Sequence, residues 1–497
     1  EGRGEIELEF GRSALLEASG ALDFLLRYPY GCLEQTTSST IPWIAALNLR
    51  NIAPAFRNKT EEEIRRNIQA GATRLISMQC DDGGFAYWAS SDYSEFWASA
   101  YGGMALLLCK EAGANVPESV LEGLRQYLAD ELRGIGEAEH WWEIETACQS
   151  CFTLALAGKP QVAYHNKLLE NPERLTLNAL NFLALAVARS GAENAAGQAR
   201  EILALKGQAR KGDRHFMSSE PTAPHRLLAL VNIDPESPDC DEAISKIIKS
   251  RGRRSGHWGN TWSNAWTVFA LGEYARRVET VGAPPVITLE TDEGRQQFTL
   301  DDKSPSKALR VPLHEGFKAR ATTSTGGFAR VSLASKPALA PQQAVSSNGL
   351  RVLRRYHRVL PDGKEERLGQ PAVGDLVRVE LQVTMPRDET VYLVIDDPLP
   401  SIFEAVNTAF ASQAGRLEEE NDWEVSHEEL RDDRVLFFID YLPRSGSYTV
   451  SYHARVTSAG SVVAPPAKVE AMYEPEFFAL SASHKFPPPN PLHTAAR

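Results

Sequence analysis

The sequence predicts a multidomain α + β protein, in which an alpha/alpha toroid is inserted in a small β domain and a β-sandwich follows. Three observations lead to this fold class. The chain has 497 residues, more than one hydrophobic core usually serves. Apolar residues recur at helical spacing over residues 13–278 and alternate from residue 279 onward. Glu5–Phe10 alternates as well, so this first strand can pair with strands that follow the helices.

The helical part contains a weak internal repeat. Residues 79–88 and 255–262 each combine glycine with aromatic residues, and each precedes a helical pattern. Stacked helical hairpins use such segments to close their ends. Together with periodic segments such as Ala98–Ala112 and Leu177–Ser190, the repeat predicts an alpha/alpha toroid.

The second half of the chain shows the pattern of short strands. Residues 286–333 alternate between turns rich in Gly, Pro, Asp and Ser, and Pro337–Pro341 indicates a linker. A second set of strands over residues 350–487 has the length and spacing of a β-sandwich. The predicted domain limits are 1–12 for the first strand of the β domain, 13–278 for the toroid, 279–340 for the remainder of the β domain, and 341–497 for the sandwich.

Composition and charge disfavour several functions. The formal net charge is −12 at pH 7, whereas a nucleic-acid partner requires an excess of Lys and Arg to neutralise phosphates. No stretch approaches about 18 apolar residues without charge, so we expect no membrane-spanning segment in this chain. We also expect no cofactor and no metal ion.

The cysteines predict no disulfide framework. All six lie in the first half of the chain, at spacings that suggest no regular pairing. Cys148 and Cys151 have the Cys-x-x-Cys form, which elsewhere indicates a redox or zinc site. Here they lie in a helical pattern without a second cysteine pair or a histidine pair, so we favour two small helix residues that face neighbouring helices.

The most informative motif is Cys32-Leu33-Glu34-Gln35. It places a thiol three residues before a primary amide, close enough for the sulfur to attack the side-chain carbonyl, expel ammonia and close a thioester ring. A buried apolar cysteine that happens to lie near a glutamine is the alternative. Thr36–Ser39 are suitable caps for a helix that starts just after the motif.

The motif and its surroundings resemble the alpha-2-macroglobulin and complement family of thioester-containing proteins. The resemblance includes Tyr28-Pro-Tyr-Gly before the cysteine and Thr-Thr-Ser-Ser after the glutamine. The order of strand, toroid, strands and sandwich resembles the C-terminal third of alpha-2-macroglobulins, with CUB-like, thioester and receptor-binding-like macroglobulin domains. Val469–Pro475 looks most like bacterial members. The family's preceding macroglobulin domains and bait region are absent here, and we expect them as partners in a longer protein.

The resemblance implies a broad-spectrum protease inhibitor and not an enzyme. A protease that cuts the bait region would be linked covalently, in a single-turnover acyl transfer, when one of its lysine amines attacks Gln35 and releases Cys32. Glu34 would shape the loop or orient the leaving group, and a solvated acid at a helix start is the alternative. The implied shield of the thioester consists of Tyr28 and Met472, with Tyr30 and Tyr473 as further candidates.

Two further expectations concern acyl preference and location. Some thioester proteins use a downstream histidine to direct the acyl group to hydroxyls. His140 lies in roughly that stretch, but its surroundings do not match, so we expect a partly exposed loop histidine and a preference for amines. The bacterial resemblance implies a periplasmic protein that protects the cell, tethered to the inner membrane through an N-terminal part absent here.

Other functions stay open at this stage. Residues 79–88 are similar to the Gln-Trp repeats of terpene cyclases, and related toroids carry glycosidase sites. Those enzymes need an Asp-rich motif, a zinc triad or a facing carboxylate pair, and Asp81-Asp82 reads as a turn. A cysteine hydrolase would leave Gln35 unexplained. A non-covalent binding module whose ring never forms is the remaining alternative.

Overall fold

The computed structural model describes residues 3–49, 56, 59–89, 91–210, 222–252, 255–278, 283–312, 314–336, 342–407 and 425–487. The chain divides into two compact units, Glu1–Pro337 and Ala338–Arg497. The predicted linker Pro337–Pro341 lies outside the described residues. Among the residues described, no helix combines the length and the apolar character needed to cross a membrane.

The first unit contains the predicted toroid. Its described residues form twelve α-helices: α1 (Ser19–Arg27), α2 (Leu33–Leu49), α3 (Glu61–Ile76), α4 (Phe96–Glu111), α5 (Glu118–Glu131), α6 (Trp141–Leu156), α7 (Val162–Leu169), α8 (Leu177–Ala188), α9 (Ala195–Leu203), α10 (Thr222–Ile233), α11 (Asp239–Ser250) and α12 (Thr261–Arg277). The even-numbered helices contact one another in succession, and α12 contacts α2, so they close an inner ring. The odd-numbered helices pack outside it.

Local sequence sets where several of these helices begin. The side chains of Thr60, Thr176 and Asn260 accept hydrogen bonds from backbone N–H groups in the first turns of α3, α8 and α12. Such caps satisfy N–H groups that have no partner within the helix. The inner helices are apolar around most of their circumference, as buried helices should be.

Six strands of the first unit form two small sheets: β1 (Arg3–Gly11), β2 (Val286–Thr291), β3 (Gly294–Thr299), β4 (Ser306–Pro312), β5 (Ala319–Thr323) and β6 (Phe328–Lys336). In the first sheet, β1 lies between β4 and β6 and is antiparallel to both. The strand before the helices therefore pairs with strands after them, as its alternation predicted. The second sheet has the order β3-β2-β5. Leu8 from β1 and Leu289 from β2 share one buried core.

The second unit is a β-sandwich. Its strands are β7 (Val345–Ser346), β8 (Arg351–Val359), β9 (Glu365–Arg367), β10 (Leu376–Met385), β11 (Thr390–Pro398), β12 (Phe403–Ala405), β13 (His427–Leu430), β14 (Arg434–Leu442), β15 (Gly446–Val456), β16 (Val462–Ala464), β17 (Lys468–Ala471), β18 (Glu474–Leu480) and β19 (His484–Phe486). The two large sheets have the orders β12-β15-β10-β8-β9 and β13-β14-β11-β17-β18-β7. Alternate residues of both sheets, such as Val379 and Phe437, fill one core.

The role of β1 can be tested with a matched pair of substitutions. Leu8→Ala should lower the free energy of unfolding of the first unit by about 2–4 kcal/mol, because it removes a buried side chain from the β core. Leu333→Ala, the same change on the neighbouring strand β6 at a side chain that is 64% exposed, should cost less than about 0.5 kcal/mol. Chemical denaturation measures both, and equal costs would contradict the insertion of β1 in this sheet.

Candidate functional site

Cys32 and Gln35 meet at the N-terminus of the inner helix α2. The Cys32 carbonyl accepts the first helical hydrogen bond, from the Thr36 N–H at 2.8 Å, so Cys32 occupies the N-cap position. Gln35 is the third residue of the helix, and its side-chain oxygen Oε1 accepts from the Cys32 N–H at 3.2 Å. This is the reciprocal bond of a capping box, in which the third side chain reaches back to the cap. The helix start therefore brings the amide carbonyl beside the cysteine.

The Cys32 sulfur is buried among hydrogen-bond donors. The backbone N–H groups of Glu34 and Gln35 and the side chain of Tyr87 hydrogen-bond to it. Burial nevertheless raises the pKa of the Cys32 thiol well above its ordinary value, and the negative charge of Glu34 raises it further. Cys32 has no exposed surface and forms no disulfide. The site therefore holds a neutral thiol away from water.

Glu34 is buried at the start of α2. The alternative role considered for it, a solvated acid at a helix start, is therefore wrong. Its side chain is fully buried. Oε1 accepts a hydrogen bond of 2.5 Å from Ser38 Oγ, and Oε2 accepts one of 2.7 Å from Thr261 Oγ1. Ser38 Oγ also lies 3.0 Å from the Tyr101 hydroxyl. Since Thr261 begins α12 and Tyr101 belongs to α4, the carboxylate joins three inner helices at the motif.

The polar residues after the motif do not cap the helix, which corrects the expectation for Thr36–Ser39. Helix α2 begins at Leu33, so these residues lie inside it. Ser39 Oγ and Thr40 Oγ1 both donate to the Thr36 carbonyl. Ser and Thr hydroxyls inside helices commonly bond to a carbonyl in the preceding turn. The cap is Cys32 itself, with Gln35 as its partner.

Two aromatic turns close the helical ring around the motif. The Leu33 N–H donates to the Tyr87 carbonyl at 2.9 Å, which fixes the first turn, residues 79–88, against the start of α2. Gly83 in this turn has φ +90°, and a Cβ there would lie 2.4 Å from the Gly123 carbonyl oxygen. The turn therefore requires glycine at this position.

The aromatic rings from both turns pack together. Tyr87 lies edge-on to Trp88 at 5.3 Å between ring centroids and 5.8 Å from Trp97. Trp262, the last residue of the second segment (residues 255–262), lies 6.0 Å from Trp97 and 4.3 Å from Tyr101. All five side chains are buried. The repeated segments that predicted closure of the toroid thus form an apolar layer beside the cysteine.

The predicted shielding tyrosines lie directly before the motif. The rings of Tyr28 and Tyr30 meet edge to face at 5.3 Å. Tyr30 is buried, and Tyr28 is half-buried. Phe24 contacts Tyr28 at 5.2 Å and stacks on His257 at 4.4 Å. Tyr28 is therefore held between Tyr30 and Phe24 of α1, and His257 packs on the Phe24 ring.

The other two predicted shielding residues belong to the second unit. Met472 and Tyr473 form the turn between β17 and β18, and both are buried. The Met472 N–H donates to the Tyr392 carbonyl at 2.9 Å, and the Tyr473 ring lies 5.2 Å from that of Tyr392. Tyr392 has a left-handed φ of 51°, which is uncommon for an aromatic residue. The turn between β17 and β18 therefore packs against a residue of β11 that has an uncommon backbone conformation.

Three other sequence candidates have structural surroundings of their own. His140 is exposed at the N-cap of α6 and stacks on Trp142 at 5.6 Å. Cys148 and Cys151 are buried in α6 and form no disulfide. Asp82 Oδ1 accepts from the Gly84 N–H and from Ser94 Oγ, which is the role of a turn residue.

Sequence reasoning missed the groups that surround the motif. Tyr87, Thr261 and Tyr101 were not singled out, although Tyr87 lies in one of the two repeated aromatic segments and Thr261 in the other. The repeated aromatic segments were therefore a sequence signal for Tyr87 and Thr261. Ser38 was noted only as a possible cap.

A helical toroid between strands of a β domain, with a sandwich after it and a buried cysteine–glutamine pair at an inner helix start, is the architecture of thioester-domain proteins. Comparisons with known proteins agree. Residues 9–140 match the family model described as the A-macroglobulin TED domain. Residues 349–476 match the model described as the bacterial alpha-2-macroglobulin MG10 domain.

Whole-chain comparisons lead to the same family. The chain is 27% identical over 485 residues to alpha-2-macroglobulin of Escherichia coli K12, covering 92% of this chain and 28% of that protein. An alpha-2-macroglobulin homolog of Nostoc is 26% identical over 488 residues, covering 91% of this chain and 25% of the homolog. The chain thus contains two segments that match alpha-2-macroglobulin domain models, and most of its length is similar to bacterial alpha-2-macroglobulins. It spans about a quarter of the length of these curated relatives.

Solved structures show the same fold. Native Escherichia coli alpha-2-macroglobulin, from domain MG7 to the C-terminus, aligns with a TM-score of 0.76 at 23% identity, covering 97% of this chain and 76% of that one. Salmonella alpha-2-macroglobulin reacted with methylamine aligns with a TM-score of 0.73 at 23% identity, covering 97% of this chain and 31% of that one. The toroid inserted in a CUB-like β domain, followed by a macroglobulin-type sandwich, is therefore the established fold of this chain.

The environment of Cys32 makes a pH-dependent prediction for protein in which Cys32 is a free thiol. Because burial and Glu34 both raise the pKa of this thiol, the thiolate forms only above the ordinary range. Alkylation of Cys32 by iodoacetamide, followed by peptide mass spectrometry, should therefore reach half its maximal rate at unusually high pH. Glu34→Gln should move that midpoint to lower pH, since it removes the neighbouring charge.

Cys109 provides an internal control in the same experiment. Burial alone raises the pKa of Cys109 to about 12, so Glu34→Gln should leave its alkylation unchanged. A Cys32 midpoint that does not move in Glu34→Gln would contradict the electrostatic role of Glu34.

Proposed function

We propose that this chain is the acyl-donor part of a broad-spectrum protease inhibitor, which links captured proteases covalently through a Cys32–Gln35 thioester. One observation carries the proposal. The Gln35 carbonyl is held 3.2 Å from the Cys32 N–H, at the helix terminus where the Cys32 sulfur is buried. The similarity to alpha-2-macroglobulins supports this proposal. Neither the toroid enzymes nor the cysteine hydrolase considered above accounts for the glutamine.

Ring closure is an internal acyl transfer. The Cys32 sulfur attacks the Gln35 Cδ, the carbon–nitrogen bond breaks, and ammonia leaves with the proton that the thiol gives up. Negative charge develops on Oε1 during the attack. The Cys32 N–H already points at this oxygen, so it can stabilise the oxyanion. The backbone N–H that forms the capping bond is thus placed to act as an oxyanion-hole donor.

Capture of a protease reverses this chemistry with a different amine. A lysine of the protease attacks Cδ as a free amine, the carbon–sulfur bond breaks, and one amine proton ends on sulfur. Lysine is mostly protonated near neutral pH, so delivery at high effective concentration is required. The product is an amide bond to the protease and a free Cys32 thiol.

In this proposal Glu34 is a positioning residue. Its carboxylate holds the start of α2 against α4 and α12 through Ser38, Tyr101 and Thr261. Its charge also disfavours a thiolate at Cys32, which opposes premature opening of the ring. A charge-assisted network of this kind fixes the motif more firmly than neutral bonds would.

The remaining parts of the inhibitor lie outside this chain. We propose that N-terminal macroglobulin domains and a bait region, present in a longer protein, supply recognition and cleavage, and that target proteases are the partners. We also propose a periplasmic location with a tether to the inner membrane, consistent with bacterial relatives. Fractionation of cells that express the full-length protein tests this, and recovery from the cytoplasm would contradict it.

Intact mass tests the thioester itself. Freshly purified chain should weigh about 17 Da less than its sequence, because ring closure removes one ammonia. Methylamine should add its own mass and free one thiol. Cys32→Ala and Gln35→Ala are the controls and should show neither change. Freshly purified protein with the full sequence mass and no response to methylamine would favour a non-covalent module.

The proposed shielding of the thioester from water by Tyr28 and Met472 can be tested separately. Tyr28→Ala and Met472→Ala should each speed spontaneous thiol release in buffer several-fold, because water reaches the ring more easily. Release of thiol to a chromogenic disulfide measures the rate. Tyr93→Ala removes a ring that is 58% exposed and serves as the control. Release at the wild-type rate in both test variants would remove the shielding role.

A further inference from the structure

We propose that Tyr87 is the proton donor to the departing Cys32 sulfur, and hence a catalytic residue of the acyl transfer. The inference rests on the proposed thioester function and adds a residue that the Cys-x-x-Gln motif does not contain. Tyr87 is separated from the motif by most of α2 and the whole of α3. Only the folded toroid brings it to the sulfur.

Three contacts hold Tyr87 in place. Its carbonyl accepts from the Leu33 N–H at 2.9 Å, which ties its backbone to the residue next to Cys32. Its ring packs against Trp88 and Trp97. Its side chain hydrogen-bonds to the Cys32 sulfur. The side chain is 3% exposed, so bulk water cannot readily replace it as a donor.

The surroundings of the sulfur make such a donor necessary. A thiolate that leaves into this site loses its hydration and also faces the Glu34 carboxylate, which is fully buried. Two backbone N–H groups can stabilise the charge, but they cannot release their protons. Of the three described groups that hydrogen-bond to the sulfur, the Tyr87 hydroxyl is the one that can transfer a proton.

The step balances with the amine as the source of the proton. As the amine nitrogen forms its bond to Gln35 Cδ, the carbon–sulfur bond breaks and its electron pair stays on sulfur. The Tyr87 hydroxyl gives its proton to sulfur, and the proton lost by the amine restores the hydroxyl. In ring closure the same transfer runs backward: the Tyr87 hydroxyl gives its proton to the departing nitrogen, which leaves as ammonia, and takes the thiol proton in return.

Tyr87→Phe tests this assignment because it keeps the ring and removes only the hydroxyl. The first-order rate of thiol release under saturating methylamine should fall about 100-fold, the scale of general acid catalysis. The solvent deuterium isotope effect on that rate should also fall. Tyr164→Phe on α7 controls for loss of a hydroxyl elsewhere in the toroid, and it should release thiol at nearly the wild-type rate.

A purely shielding role predicts the opposite sign. Removal of a shielding group would leave thiol release unchanged or faster, so either result in Tyr87→Phe overturns the proposal. A folded Tyr87→Phe protein that never closes its ring, with an unchanged melting temperature and a ring present in Tyr164→Phe, supports it, because closure needs the reverse transfer. The mass of the wild-type protein tests the thioester separately, so failure of the two ideas can be told apart.

Discussion

The hydrogen bond from the Cys32 N–H to Gln35 Oε1 is the interaction on which the rest of the site depends. It is a helix cap in its geometry, and capping side chains are common at helix starts. Here the capping group is a primary amide and the capped residue carries a thiol, so a routine local bond also aligns two groups that can react. The bond that caps α2 therefore also brings the thiol-bearing residue and the amide side chain together, and no separate loop is needed to do so.

The toroid supplies what the local motif cannot. Closure of the inner ring places α12 beside α2, and this brings Thr261 to Glu34 across 227 positions of the chain. The turn between α3 and α4 carries Tyr87, and the Tyr87 side chain hydrogen-bonds to the Cys32 sulfur. The proposed thioester would require exclusion of water, and the aromatic residues near both turns form a buried apolar layer beside Cys32.

Much of this could be predicted from sequence, and particular residues show where the limit lies. Helical spacing located α4 and α8 to within two residues at either end, and the alternation of Glu5–Phe10 predicted the pairing of β1. The motif itself indicated Cys32 and Gln35. The buried network of Glu34 could not be predicted, because a residue's spacing identifies its face and not the distant group that packs on it. Thr36–Ser39 were misassigned as caps because the same hydroxyls suit both a helix start and bonds within a helix.

Carbon-13 NMR of protein labelled at the glutamine side-chain carbonyl tests the central claim most directly, since thioester, amide and carboxylate carbons resonate apart. We expect one signal in the thioester region of freshly purified protein, absent from Cys32→Ala and shifted to the amide region by methylamine. A spectrum in which every labelled carbon of the fresh protein lies in the amide region would contradict it.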